Sequence, residues 1–154
     1  MKKLKLYIET SVWNFLFADD APEKKAITEM MFAEVEHGRY EVFVSEIVEN
    51  EIREAPFEKR QQLLQIIKRY QPEVLEDSVE ARRLVRSYIE NGLLSDKQLA
   101  DLAHIATATV NGIDVLVSWN MKHLVKLETR MKANAINRLY GYHEIEICTP
   151  EEAI

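Results

Sequence analysis

The stretch that most constrains this chain is Ser95-Asp96-Lys97-Gln98 followed by Leu99 through Val110 and the pair Asn111-Gly112. Ser95 with Gln98 three residues on is a capping box, the signature of a helix start. Asn-Gly is a common helix end. Between these ends, apolar and small residues run almost all the way round, the pattern of a helix buried on most sides. Asp101 and His104 interrupt that pattern one turn apart, on one sector. A carboxylate on a buried helix is unfavourable unless it is paired, hydrogen-bonded or bound to a metal. The helix therefore requires other parts of the chain to bring it partners.

The segment after the helix is equally restrictive. Asp114-Val115-Leu116-Val117-Ser118 is a short continuous apolar run, typical of a strand covered on both faces, and Trp119-Asn120 stands at its end. The chain opens with Leu4, Leu6 and Ile8 alternating against Lys5 and Tyr7, which predicts a strand ending at Glu9-Thr10-Ser11. A short apolar segment, Val12 to Phe17, comes next. Asp20-Ala21-Pro22-Glu23 predicts a helix start with Asp20 as cap. That helix carries Ile27, Met30, Met31 and Val35 and stops at His37-Gly38. Glu41 to Val44 reads as a second strand, and Ser45 caps a helix on which Ile47, Val48, Glu51, Ile52 and Ala55 share a face. Pro56 interrupts, and a further helix carries Leu63, Ile66, Ile67 and Tyr70. Asp77-Ser78-Val79-Glu80 opens another, ended by Asn91-Gly92. The last third holds a helix around Ala133 to Leu139 and an alternating edge strand, Glu144 to Ile147. Short apolar strands separated by helices predict an α/β fold with a mainly parallel sheet.

The 154 residues suit a single domain, 1–154, with 47% hydrophobic and 30% charged residues, too apolar for disorder. No apolar run approaches the roughly 20 residues of a membrane helix, so no membrane association is expected. The basic start Met1-Lys2-Lys3 leads into a strand rather than a signal peptide, and lone Cys148 suits a reducing compartment; a cytoplasmic protein is the expectation. The net charge of −6 argues against coating nucleic acid with the whole surface but leaves room for a local basic groove. Such a strip is present: Lys122, Lys126, Arg130, Lys132 and Arg138 stand against one acid, Glu128.

In open parallel sheets, ligands bind beyond the carboxyl ends of the strands. Glu9 and Asn120 end two strands, Glu51 breaks an apolar face on the helix leaving a third, and Asp101 lies on the buried helix. Together these four are the candidate site. Carboxylates with an amide carbonyl, and no cysteine or histidine cluster, suit Mg²⁺ or Mn²⁺ rather than zinc. Taken singly, Glu9 reads equally well as a surface residue, Asp101 as an ion-pair partner of Lys97, Glu51 as a rim residue and Asn120 as a turn former. His104 reads better as a supporting histidine than as a ligand. Trp13, Phe15 and Phe17 offer an apolar patch for a dimer or partner surface, with core packing the simpler alternative.

Tyr7-Ile8-Glu9-Thr10-Ser11, Ser45 with Glu51, Asp101-Leu102-Ala103-His104-Ile105-Ala106-Thr107-Ala108 and Leu116-Val117-Ser118-Trp119-Asn120 resemble, in order and spacing, a PIN domain. That family includes the VapC-like ribonuclease toxins of toxin–antitoxin pairs. The resemblance runs from the first strand to about Leu124. It implies a PIN-like α/β/α sandwich, a Mg²⁺- or Mn²⁺-dependent ribonuclease with RNA as substrate, an antitoxin partner and a homodimer. By motif, Glu9 stands where the family usually has aspartate, Glu51 and Asp101 match family acids, and Asn120 replaces the usual last aspartate. Ser11 or Thr10 matches the hydroxyl that supports the first acid, and Asp96 is a candidate for the missing one. The alternative is a degenerate PIN domain that binds RNA or a protein without cutting. An aspartyl-phosphate phosphatase would need aspartate at Glu9, and a dinucleotide enzyme a glycine-rich first turn; the chain has neither.

Overall fold

The computed structural model describes residues 2–154. Five strands alternate with helices: β1 (Leu4–Ile8), α1 (Thr10–Phe15), α2 (Pro22–Glu36), β2 (Tyr40–Ser45), α3 (Glu46–Arg53), α4 (Phe57–Tyr70), β3 (Glu73–Leu75), α5 (Val79–Glu90), α6 (Leu99–Val110), β4 (Val115–Val117), α7 (Leu127–Leu139) and β5 (Glu146–Cys148). A 3-10 turn, Asp96–Gln98, leads into α6, and another, Pro150–Ala153, comes after β5.

All strand pairs are parallel, in the order β3-β2-β1-β4-β5. Crossovers between parallel strands are right-handed. The chain therefore lays α1 to α4 on one face while it winds outward through β2 and β3, then returns to lay α5 to α7 on the other. Packing conforms to that division, with α1 against α2 and α4, α3 against α4, and α5 against α6 and α7. The winding direction reverses between β1 and β4, which creates a crevice at their carboxyl ends. The structure thus has the α/β fold and parallel sheet expected from the strand and helix pattern, in the sandwich form that the motif resemblance implies.

The central strand is more buried than its alternation suggests. Leu6, Tyr7 and Ile8 are all fully buried, because helices cover both faces of the sheet. Tyr7, grouped with Lys5 on the alternation, faces inward toward α6. Trp13 is core rather than surface. It packs against Phe32 and Tyr70 at ring-centroid distances of 5.0 and 6.1 Å, and its indole N–H donates to the Ile8 carbonyl. Phe15 and Phe17 are half-buried.

Local signals set most boundaries. Ser45, Ser78 and Ser95 cap their helices through the side-chain hydroxyl, and Ser95 and Gln98 close the capping box. Gly112 stands just past α6 at φ +70°, a conformation that glycine adopts without strain. At the start of α2 the N-cap is Ala21 rather than Asp20, without a side-chain cap. Pro22 occupies the first turn, where its missing N–H is no loss, and Asp19 instead pairs with Lys25 at 2.6 Å.

Candidate functional site

Glu9 leaves β1 at the crevice. Its backbone N–H still belongs to the sheet, donating to the Val117 carbonyl of β4. Its side chain caps α1 by accepting from the Ser11 N–H at Oε2. Oε1 accepts from two hydroxyls, Ser11 Oγ at 2.5 Å and Ser118 Oγ at 2.5 Å. Both hydroxyls are themselves held: Ser11 Oγ accepts from the Trp119 N–H and Ser118 Oγ from the Asn120 N–H. Glu9 is only 6% exposed, yet its carboxylate is held by fixed donors. Ser11 supports the first acid; Thr10 does something else.

Thr10 donates to Glu51 Oε1 at 2.7 Å, tying α1 to α3. The same oxygen meets Nε2 of His104 at 2.7 Å. His104 is fully buried on α6, and its Nδ1 lies 2.6 Å from the Tyr7 hydroxyl, which in turn lies 2.6 Å from Ser45 Oγ. Ser45 accepts the Ile47 N–H as cap of α3. A hydrogen-bonded chain thus runs from the start of α3 through β1 to α6 and back to α3. Ligand atoms of Glu9, Glu51 and His104 all lie within 4.8 Å of one another.

Burial opposes a charge on His104, but the hydrogen bond to Glu51 and the charges of Glu9, Glu51 and Asp101 outweigh it and hold its pKa above the ordinary value. Glu51 responds in the opposite sense. Burial would raise it, while the His104 bond and charge and the Thr10 bond bring it below the usual glutamate value. Burial also pushes the Tyr7 hydroxyl far above its ordinary pKa, so it remains a neutral link.

Asp101 stands beside this group rather than inside it. Half-buried on α6, it accepts from Asn120 Nδ2 at 3.2 Å, and Asn120 Oδ1 accepts the His123 N–H at 3.0 Å. Its pKa is raised, first by burial and then by the nearby charges of Glu9 and Glu51, with His104 and His123 acting the other way. Among the described residues, no ion pair joins Asp101 to Lys97. Asp96, exposed in the 3-10 turn, makes no contact with the cluster among the described side-chain hydrogen bonds. The four expected residues therefore reach one end of the sheet as two pairs, Glu9 with Glu51 and Asp101 with Asn120.

The donor chemistry suits a hard divalent cation. The group is dominated by carboxylate oxygens, and no described protein donor reaches Glu51 Oε2 or Asp101 Oδ2. His104 is engaged at both ring nitrogens, which leaves it the neighbour of such an ion rather than its ligand.

The sequence pattern alone does not single out Ser118 or Tyr7 as site residues. Ser118 carries a usable signal: Ile8 pairs with Val117 in register, so the next residues, Glu9 and Ser118, must come side by side. Tyr7 carries none, because only the covered second face of β1 directs it to α6.

The basic strip divides. Lys132 pairs with Glu128 at 2.9 Å, Arg138 pairs with Glu144, and Arg130 turns toward the Ile147 carbonyl. Lys122 and Lys126 remain exposed. They line a cavity of about 230 Å³ together with Leu94, His123 and Glu128, and the His123 N–H ties that wall to Asn120 Oδ1.

No family model matches the chain, and no curated protein matches it in sequence. Likeness lies in the fold. Over 95% of its length the chain superposes on 98% of a chain of VapBC2 from Rickettsia felis, solved bound to a DNA fragment from its promoter, with TM-score 0.58 and 15% identity. This is the VapC- and PIN-like fold that the motifs imply. A looser likeness, TM-score 0.48 and 12% identity, covers 96% of this chain and 55% of a tyrosyl-tRNA synthetase from Archaeoglobus fulgidus complexed with L-tyrosine. It bears on neither site nor activity. Among the described residues, no helix is long and apolar enough to cross a membrane.

Proposed function

We propose that residues 1–154 act as one PIN-like domain that hydrolyses RNA phosphodiester bonds with Mg²⁺ or Mn²⁺. The observation that carries this reading is the meeting of Glu9 and Glu51 within 4.8 Å at the sheet's switch point, with Asp101 and Asn120 beside them. Glu9, Glu51 and Asp101 would hold the ion, which lowers the pKa of bound water and offsets charge on the scissile phosphate. Ser11 and Ser118 fix the Glu9 carboxylate, while Thr10 and His104 fix that of Glu51. Asn120 steadies Asp101 through its amide nitrogen. Lys122 and Lys126, unpaired among the described residues, supply the cations that an RNA backbone requires next to an otherwise acidic cluster.

The test is cleavage of RNA with Mn²⁺ by the parent chain and by Asp101→Ala. Loss of cleavage with an unchanged circular dichroism spectrum is expected; equal cleavage by both overturns the assignment.

One observation favours a second reading. Asn120 brings an amide where a fourth acid would add charge, which suits a domain that binds RNA or a protein without cutting. Titration calorimetry separates the two, since a non-catalytic domain would retain RNA while binding no Mn²⁺ at millimolar concentration. The fold likeness to VapBC2 also supports an antitoxin partner, and a homodimer is proposed from the motif resemblance alone. Co-expression with the product of an adjacent small gene, then size-exclusion chromatography, tests both.

A further inference from the structure

Around Trp119, the neighbour of Asn120, the structure carries a second feature. Phe15 ends α1 one turn, about 5.4 Å, beyond Ser11, whose hydroxyl is on Glu9. Its ring packs at 5.8 Å and 50° against Trp119, the residue before Asn120. Trp119 is locked in place: its indole N–H donates to Thr28 Oγ1 at 2.8 Å, and Thr28 donates to the Lys24 carbonyl at 2.6 Å. The Lys24 ammonium stands 5.4 Å from the centroids of both the Phe15 and the Trp119 rings. Among the described residues it has no carboxylate partner. Phe15 and Lys24 wall a mostly apolar cavity of about 420 Å³, with Pro22 and Glu23 at its rim.

An aromatic ring partly open to solvent beside an unpaired ammonium has the chemistry of a nucleotide subsite. A base stacks on the ring and the cation meets its phosphate. We propose that Phe15, with Lys24, holds the base and phosphate of a nucleotide flanking the phosphodiester presented to Glu9, Glu51 and Asp101. This rests on the proposed action on RNA. It commits the occupant to single-stranded nucleic acid, because only an unpaired base offers a free face. Glu23 at the rim accepts hydrogen bonds, so bases with several N–H groups on their pairing edge are favoured over uracil, which offers a single one.

The experiment measures equilibrium binding of fluorescein-labelled single-stranded RNA hexamers in EDTA, where metal-dependent cleavage is silent, and separately maps cut sites with Mn²⁺. Phe15→Leu preserves bulk against Trp119 but removes the stacking ring; Phe15→Tyr restores it. Phe15→Leu should weaken hexamer binding about tenfold, Phe15→Tyr should bind like the parent, and Lys24→Met should weaken binding with a shallower salt dependence. Equal affinity of the parent, Phe15→Leu and Lys24→Met overturns the proposal and leaves the shelf to a protein partner. Because binding is read without metal, the two proposals fail separately. Phe15-dependent binding without cleavage sustains the shelf and sinks the nuclease, and cleavage indifferent to Phe15 does the reverse.

Discussion

Nε2 of His104 lies 2.7 Å from Oε1 of Glu51, at the end of a chain that runs through Tyr7 to Ser45. The imidazole pKa is held above its ordinary value and that of the carboxylate below its own, so each partner favours the charged form of the other. This pair answers the difficulty posed by clustered carboxylates before any ion arrives. It also fixes the glutamate's rotamer, since Thr10 binds the same oxygen from the other side.

Replacing His104 should therefore harm the fold as well as the site. His104→Ala leaves the Tyr7 hydroxyl with Ser45 as its one partner and removes the Nε2 partner of Glu51. We expect a loss of about 2 kcal/mol, moderated because the Glu51 side chain is 35% exposed and can recruit water. Tyr7→Phe breaks only the link and should cost about 1 kcal/mol. Urea denaturation midpoints measure both, and a double mutant that loses as much as the sum of the two would show the residues to be uncoupled.

Asn120→Asp restores a fourth carboxylate 3.2 Å from Asp101 Oδ1. Without metal the new charge repels Asp101, and the melting temperature in EDTA should fall, corresponding to about 1 kcal/mol. With Mn²⁺ present the order should reverse, because added ligand charge tightens the ion on the order of tenfold. Thermal melts with and without Mn²⁺ provide the comparison; a variant less stable in both conditions contradicts a cation site there.

Thr28→Val keeps the shape of the side chain and removes the acceptor of the Trp119 indole N–H. Both residues are buried, so the stranded N–H should cost about 1–3 kcal/mol. The shift in indole fluorescence maximum and the chemical denaturation midpoint together report it.

Cys148 provides a clean pH test away from the cluster. Burial, with Glu152 and Glu146 adding to it, pushes its thiol up to about 12. A raised folded pKa stabilises the protonated form. The contribution is therefore present below the ordinary thiol range near 9 and is lost as pH climbs from about 9 toward 12. At pH 8 the native thiol should react with iodoacetamide at least about a hundredfold more slowly than the urea-unfolded chain. Mass spectrometry over time reads the difference.

What the sequence disclosed was what local chemistry decides. Ser45 and Ser95 announce their caps because a hydroxyl before a helix has few other uses. Ile8-Glu9 and Val117-Ser118 mark strand ends because apolar runs stop there. Three things escaped. β3, Glu73–Leu75, is too short to show a period, and two of its three residues are exposed. For Trp13 a partner surface stayed open beside the simpler core reading, because the six residues of α1 hold too little periodicity to show which face is buried. His104 sits one turn from Asp101, yet whether it joins the acids depends on which helix face meets Tyr7, a matter of tertiary packing. The same packing left Asp101 paired with Asn120 rather than gathered tightly with Glu9.

The bond from Ser118 to Glu9 closes a loop of 109 residues. A chain emerging from the ribosome thus carries Glu9 early but lacks the Ser118 hydroxyl, and the neighbouring Asn120, until more than a hundred further residues have been added. Until then the acids are scattered along a polymer with nothing to gather them. A protein with this topology has a built-in delay: its charged centre comes into being only once synthesis has passed Ser118 and Asn120.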